Sequence, residues 1–270
     1  MVIEQKVWKV LHSLSQEVER KFGSAFLSLI VFGSLVHDDF VSHFSDINHV
    51  IVLKDGSLGS GAIQAAEAVI HDVRKLHSDM PAHLQLEFIV DRSGLGQFNL
   101  DDRMRPKPID VVDIKTRGLV IAGAEIQARI LTPSVEEIKE SVIFLLYAGN
   151  PSKSVKGFVN GIFGAALALY MAETGEVVFN KSELAKRYEE LGTLPVPQIV
   201  KRSADLRARW TPGSESLLKG RPLMQLGEQY KQFREMAIRE IERRKLNEFH
   251  SLKTSMPGII WKGRTEEVPS

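Results

Sequence analysis

Residues 25–32 and 47–53 are short apolar runs with the pattern of buried strands, and what joins them constrains this chain more than any other feature. Gly33-Ser34 closes the first run, where backbone N–H groups and a hydroxyl can receive a phosphate. Ser45-Asp46-Ile47-Asn48 leads into the second. Asp46 and Asn48 lie two apart at the mouth of a strand, so they project from one face. A phosphate cradle beside paired oxygen ligands is what metal-assisted chemistry on a nucleoside triphosphate needs.

The rest of the first half supplies the surroundings of a sheet. Ile3, Val7, Leu11, Leu14 and Val18 fall on one helical face, with Gly23 as the stop. Residues 56–61 compose a loop. Residues 62–77 form a helix with Ala62, Ala66, Val69, Val73 and Leu76 on its stripe. Residues 84–90 alternate, with Leu84, Leu86, Phe88 and Val90 on one side and Gln85, Glu87 and Ile89 on the other, which predicts a third strand. Residues 111–114 and 119–122 are weaker strand candidates around Arg117-Gly118.

Beyond Leu131 the pattern becomes helical. Thr132-Pro133-Ser134 followed by Glu136 and Glu137 is a helix start, with acids where the helix dipole favours them. Helices are expected at 134–149, 154–174, 181–191, 197–210 and 222–248, the last with Leu223, Leu226, Tyr230, Phe233, Ala237 and Ile241 as its buried stripe. The one β-favouring run after Gly123 is 176–179. The expected fold class is α+β: a domain over 1–131 with a mixed sheet flanked by helices, an all-helical substrate-binding domain over 132–250, and a loosely held tail over 251–270.

Composition narrows the function classes. The chain has 270 residues and no cysteine, which excludes disulfides, thiolate metal sites and cysteine nucleophiles, and fits a reducing cytoplasm. Its formal net charge is +1, so no global field recruits nucleic acid or a membrane surface. The N-terminus does not read as a signal peptide, with Glu4 and Lys6 among apolar residues at helical spacing. No apolar run is expected to span a membrane; the longest, 158–171, reads as a buried helix.

An apolar residue, Gly-Ser, an interval, then acid–apolar–acid with a third acid on a later strand is the pattern of the nucleotidyltransferase superfamily that includes DNA polymerase β and the aminoglycoside adenylyltransferases. Phe32-Gly33-Ser34, Asp46-Ile47-Asn48 and Glu87 resemble it. Arg117-Gly118-Leu119-Val120-Ile121-Ala122-Gly123 looks like the closing strand of the minimal domain. Thr174-Gly175-Glu176-Val177-Val178 with Lys181 and residues 184–188 looks like the helical domain of the streptomycin/spectinomycin adenylyltransferases. The resemblance spans roughly residues 20 to 190 and is sharp in 32–48. It implies that Gly33 and Ser34 bind the nucleotide phosphates, that Asp46, Asn48 and Glu87 hold Mg²⁺, and that Asp46 and Glu87 are catalytic. ATP or another nucleoside triphosphate would be the donor and a small molecule, such as an aminoglycoside, the acceptor. The departure is Asn48, where the family has a second carboxylate. An amide oxygen ligates Mg²⁺ without the charge, so a nucleotide-binding or regulatory protein with weakened turnover is the alternative.

The remaining candidates carry less. Lys153 and Lys156, at the start of the Gly-rich helix, are placed to contact phosphate. His37, His43 and His49 surround the motif without metal-ligand spacing. Asp38-Asp39 reads as an exposed acidic loop. Glu125, Glu136, Glu137, Glu173 and Glu176 are the acids available to a cationic acceptor. Arg244 and His250 match the loose spacing of the HEPN ribonucleases, which leaves a toxin–antitoxin enzyme acting on protein or tRNA as a further reading. Arg239, Arg243, Arg244 and Lys245, interleaved with acids, form a solvated face.

Overall fold

The computed structural model describes residues 5–80, 82–96, 104–148, 154–211, 213–214 and 218–244. Four strands form one mixed sheet in the order β3-β2-β1-β4: β1 (Phe26–Phe32), β2 (Asn48–Leu53), β3 (Phe88–Asp91) and β4 (Leu119–Gly123). β1 is antiparallel to both β2 and β4, while β2 and β3 run parallel.

Side chains alternate across β1 and β2 and feed two separate cores. Leu29, Val31, Ile51 and Leu53 pack against α1 (Gln5–Phe22) and α2 (Ala62–Leu76). Ile30, Phe32, Val50 and Val52 face the other way, onto Val111 and Ile114 of α3 (Pro108–Arg117). Both faces are therefore covered, which is why these strands read as unbroken apolar runs.

The largest core lies among α4 (Val135–Ala148), α5 (Val155–Thr174), α6 (Lys181–Leu191), α7 (Pro197–Ala208) and α8 (Arg221–Arg244). α5 is its axis. Ser154 caps the α5 start by accepting from the Gly157 N–H, and Gly175, at φ +74°, ends the helix. α4 begins with a reciprocal cap: Ser134 Oγ accepts from the Glu137 N–H at 3.2 Å, and the Glu137 carboxylate accepts from the Ser134 N–H at 2.7 Å. Phe44, from the loop between β1 and β2, and Ile109, from the first turn of α3, are buried in this helical core, so the two parts share apolar contacts.

Several local expectations are corrected. Residues 111–114 are not a strand but the middle of α3, which is initiated by Pro108 and by Asp110, whose carboxylate accepts from the Lys107 N–H at 2.9 Å. Their β-branched side chains favoured a strand locally, and packing on the sheet overrode it. The third strand is limited to 88–91, and the alternation over 84–90 breaks just before it, between Leu86 and Phe88. Leu84, Leu86 and Ile89 pack toward α1 and α2, whereas Phe88 and Val90 pack on the opposite face. Residues 176–179 form no strand but an extended link between α5 and α6. Leu76, expected on the buried stripe of α2, is 69% exposed. α5 has 20 residues and by length and composition is long and apolar enough to cross a membrane, which no run was expected to be; its buried face fills the helical core, as the buried-helix expectation for 158–171 has it. Asp39 is not an exposed loop acid but is buried, while Asp38 is exposed. Residues 245–248 of the expected last helix, and the rest of the chain to 270 with the expected tail over 251–270, lie outside the described residues.

Asp39 is where the motif loop meets the helices. Arg207 of α7 donates to Asp39 Oδ1 at 2.8 Å and also to the Asp39 carbonyl, and both side chains are nearly inaccessible. Asp39 also accepts from the Lys181 N–H and the Ser182 hydroxyl, each at 3.0 Å, at the start of α6. Removing one partner of such a pair leaves a buried charge uncompensated. Asp39→Ala is expected to lower the unfolding free energy by about 3–5 kcal/mol, measured by urea denaturation. A loss under about 1 kcal/mol, the range of an exposed pair, would show the contact to be dispensable.

Candidate functional site

β1 ends at Phe32, which sits across the ladder from Asn48. Gly33 then turns at φ +75°, and a Cβ there would lie 2.8 Å from the Asn48 amide nitrogen. The position therefore demands glycine twice, for its left-handed backbone and for the close approach of Asn48. The Gly33 N–H, expected to be open to a phosphate, is already occupied. It donates at 2.8 Å to Asp113 Oδ2, and Asp113 Oδ1 lies 2.5 Å from His37 Nε2. His37 in turn stacks on Phe179, with ring centroids 5.2 Å apart.

Gly33, Ser34, Asp46 and Asn48 line one cleft of about 330 Å³ between the sheet and the helices. Its other polar walls are Asp110 and Asp113 of α3, Lys156 and Asn160 of α5, and Lys181 of α6; Phe32, Phe44, Phe163, Leu167 and Phe179 are among its apolar ones. A larger recess of about 460 Å³ lies between α7 and α8, lined by Ile199, Arg202, Phe233 and Met236 among others, and contains none of the candidate site residues.

Asp46 is held from several directions. The segment beside it pairs with His83, whose Nδ1 lies 3.8 Å from Asp46 Oδ1. Lys156 donates to the same oxygen at 2.5 Å. Glu87 is not part of the cleft wall, but the break in alternation before β3 leaves it within electrostatic reach of Asp46, Asp110 and Lys156. Burial, then the Asp110 charge, raises the Glu87 carboxyl from its ordinary 4.5 to about 7. Burial likewise raises Asp110 to about 6, opposed by the hydrogen bond it accepts from the Lys107 N–H. Burial and the Arg207 guanidinium lower the Lys181 ammonium to about 8.

Among the described residues no cluster of three His, Asp or Glu side chains is close enough to hold a metal. The donors expected from the sequence are Asp46, the Asn48 amide oxygen and Glu87, hard oxygen ligands of the kind Mg²⁺ takes together with substrate phosphates. Asp46 and Asn48 line the cleft, while Glu87 stands outside its wall.

Other candidates resolve differently. Lys153 and His250 lie outside the described residues. His43 has φ +61° in the motif loop. His49 is fully buried on β2, its Nδ1 donating to the Ile47 carbonyl, and burial lowers it to about 4. The three histidines therefore do not converge. Glu136 and Glu137 belong to the start of α4, Glu173 accepts from Thr193, and Glu176 accepts from Arg187. The acids facing the cleft are instead Asp46, Asp110 and Asp113. Asp110 and Asp113 had a sequence signal, acids three apart on a helix face, that the strand reading of 111–114 concealed. Arg239 and Arg243 are exposed and paired with Glu235 and Glu240 on their own helix.

No family model matches the chain, and no curated protein matches it. In three dimensions it is similar to the crystal structure of spectinomycin adenyltransferase AAD(9) from Enterococcus faecialis with ATP and spectinomycin, at 13% identity and a TM-score of 0.58, covering 83% of this chain and 99% of that one. The likeness is one of fold, and it agrees with the resemblance carried by residues 32–48.

The raised carboxyl of Glu87 has a consequence for stability. The folded state holds that proton more tightly than the unfolded chain, so the contribution is fully present below pH 4.5 and is lost as pH rises through about 7. Glu87→Gln is expected to match the wild type at pH 4 and to exceed it at pH 8, by up to roughly 3 kcal/mol. Denaturant unfolding at the two pH values reads this directly; equal stabilities at pH 8 would place Glu87 in ordinary solvent.

Proposed function

We propose that the protein is a nucleotidyltransferase that transfers a nucleoside monophosphate, AMP from ATP, to a hydroxyl of a small molecule, with residues 1–131 as the nucleotidyltransferase domain and 132–250 as a helical acceptor-binding domain. The observation that carries this reading is the convergence of Ser34, Asp46 and Asn48 with Lys156 and Lys181 on one cleft, in a fold like that of an adenyltransferase.

Transfer requires negative charge on three phosphates to be met and the attacking hydroxyl to lose a proton. Ser34 would donate its hydroxyl to the phosphates. Gly33 contributes its turn rather than its N–H, which Asp113 occupies. Lys156 and Lys181 reach the cleft from the helices and would neutralise phosphate charge; such lysine pairs act as point charges. Glu87, at about 7, is poised to accept a proton near neutral pH. Mg²⁺, held by Asp46 and Asn48, and by Glu87 where that carboxylate is not the base, would supply the remaining charge neutralisation on the phosphates. The acids Asp110 and Asp113 would favour an acceptor bearing amines, of which an aminoglycoside is one example. The absence of cysteine agrees with a cytoplasmic setting.

A second reading, nucleotide binding with weak turnover, is favoured by two observations at one place. Asn48 supplies no charge, and Lys156 already holds the Asp46 carboxylate. Purified protein with ATP, Mg²⁺ and a panel of aminoglycosides is expected to release pyrophosphate, and Asp46→Ala to reduce the rate on the order of a hundredfold or more. ATP binding with no pyrophosphate from the wild type, restored by Asn48→Asp, would favour the second reading. An unchanged rate in Asp46→Ala would remove the first.

A further inference from the structure

Lys156 stands where helix physics disfavours it. It is the second residue of α5, whose first turn holds no acid, and the partial positive charge of a helix N-terminus opposes a cation there. Its ammonium reaches across to the other part of the chain, 110 positions away, and donates to Asp46 Oδ1 at 2.5 Å. The Phe44 ring centre lies 6.0 Å from the same nitrogen. Glu87 is within electrostatic reach of this cation as well. One ammonium thus acts on both carboxylates that the sequence offered to a metal.

Within the motif the charges cancel. Asp46 brings one negative charge, Lys156 one positive charge, and the Asn48 amide none. A divalent cation arriving alone meets no net attraction from these three groups, and it must displace a charge-assisted hydrogen bond to reach Asp46. A triphosphate changes the competition. Its oxygens carry several negative charges, and Lys181 stands on the same cleft to draw them in. The Lys156–Asp46 pair is built to exchange. Each side chain keeps 28% of its surface exposed, and lysine is a point charge on a flexible stem that can turn to a new acceptor. The Asp39–Arg207 pair, at 2% and 3%, has no such freedom.

We propose that Lys156 is an exchangeable counter-ion of Asp46, which denies that carboxylate to a free divalent cation and releases it when a triphosphate offers the ammonium stronger acceptors. This rests on the nucleotide reading of the same cleft and adds the order in which the cleft fills. In the free protein Lys156 closes Asp46. When a triphosphate enters, Lys156 passes to its oxygens, and Asp46 is left open to the cation that the triphosphate carries. The contact that argues against turnover is then the resting state of a working site.

The test is retention of Mn²⁺, an oxygen-binding stand-in for Mg²⁺, by the full chain in equilibrium dialysis. It is run with and without an ATP analogue that has a methylene between its α and β phosphorus atoms. Without nucleotide, Lys156→Met is expected to bind Mn²⁺ at least about tenfold more tightly than the wild type, the span of one charge-assisted hydrogen bond. Lys156→Arg, which keeps the charge, should stay at the wild-type level, and Asp46→Asn added to Lys156→Met should remove the gain. With the analogue, the wild type should retain about one Mn²⁺ per chain. Thermal melts establish that the variants are folded, and Lys156→Gln replaces Lys156→Met if the latter is not. Equal Mn²⁺ affinity in the wild type and the uncharged variant, or a gain that survives Asp46→Asn, would overturn the proposal. So would an analogue that binds the wild type without raising its Mn²⁺ retention. An analogue that binds no variant would instead overturn the nucleotide reading and the release step with it, and the nucleotide-free comparison alone would then decide whether Lys156 denies Asp46 to a cation.

Discussion

The buried contact between Asp39 and Arg207 is the constraint on which the rest of the site depends. The motif loop between β1 and β2 buries Leu35, Phe44 and Ile47, and its acid Asp39 is tied to α7 and to the start of α6. Arg207 also lies over the Phe44 ring, which is itself buried in the helical core. Asn180 adds a hydrogen bond to the His37 carbonyl at 2.9 Å. These contacts cross from one part of the chain to the other, so the cleft is a property of both parts together. Such a pair is weak evidence for net stability but a strong determinant of register, because the charged groups have no alternative partners in the interior.

Charge balance in the cleft follows from that docking. The sheet and α3 bring Asp46, Asp110 and Asp113, and the helices bring Lys156 and Lys181. Without the lysines, three acids and the nearby Glu87 would repel a triphosphate. Without the acids, two partly buried ammonium groups would be costly to desolvate. The raised carboxyls of Glu87 and Asp110 and the lowered ammonium of Lys181 all report the same cause, burial in a narrow space. Asp113 extends this logic inward. By accepting the Gly33 N–H it orients the turn that carries Ser34, and His37 completes its second oxygen.

Much of the architecture was legible in the sequence because local signals agreed with one another. α1, β1, β2, α2 and the helices from α4 onward fall within a few residues of where periodicity and caps placed them. The errors concentrate where tertiary packing competes with local preference. The run 111–114 is rich in β-branched residues yet helical, since its face meets the sheet. The segment before β3 alternates in sequence but changes side in space, and that change governs where Glu87 sits. Asp39 looked like a surface acid because its partner lies 168 positions away. Arg207 carried no sequence signal at all.

The order of residues alone determined a mixed-sheet and helix plan, the glycine turn after β1, and the pairing of Asp46 with Asn48, because strand periodicity and backbone sterics act over a few residues. Only the folded chain decided that Lys156 rests on Asp46 and that Asp113 takes the Gly33 N–H. Those relations join residues 80 to 110 positions apart, and no local rule encodes a distance that packing of separate elements must create.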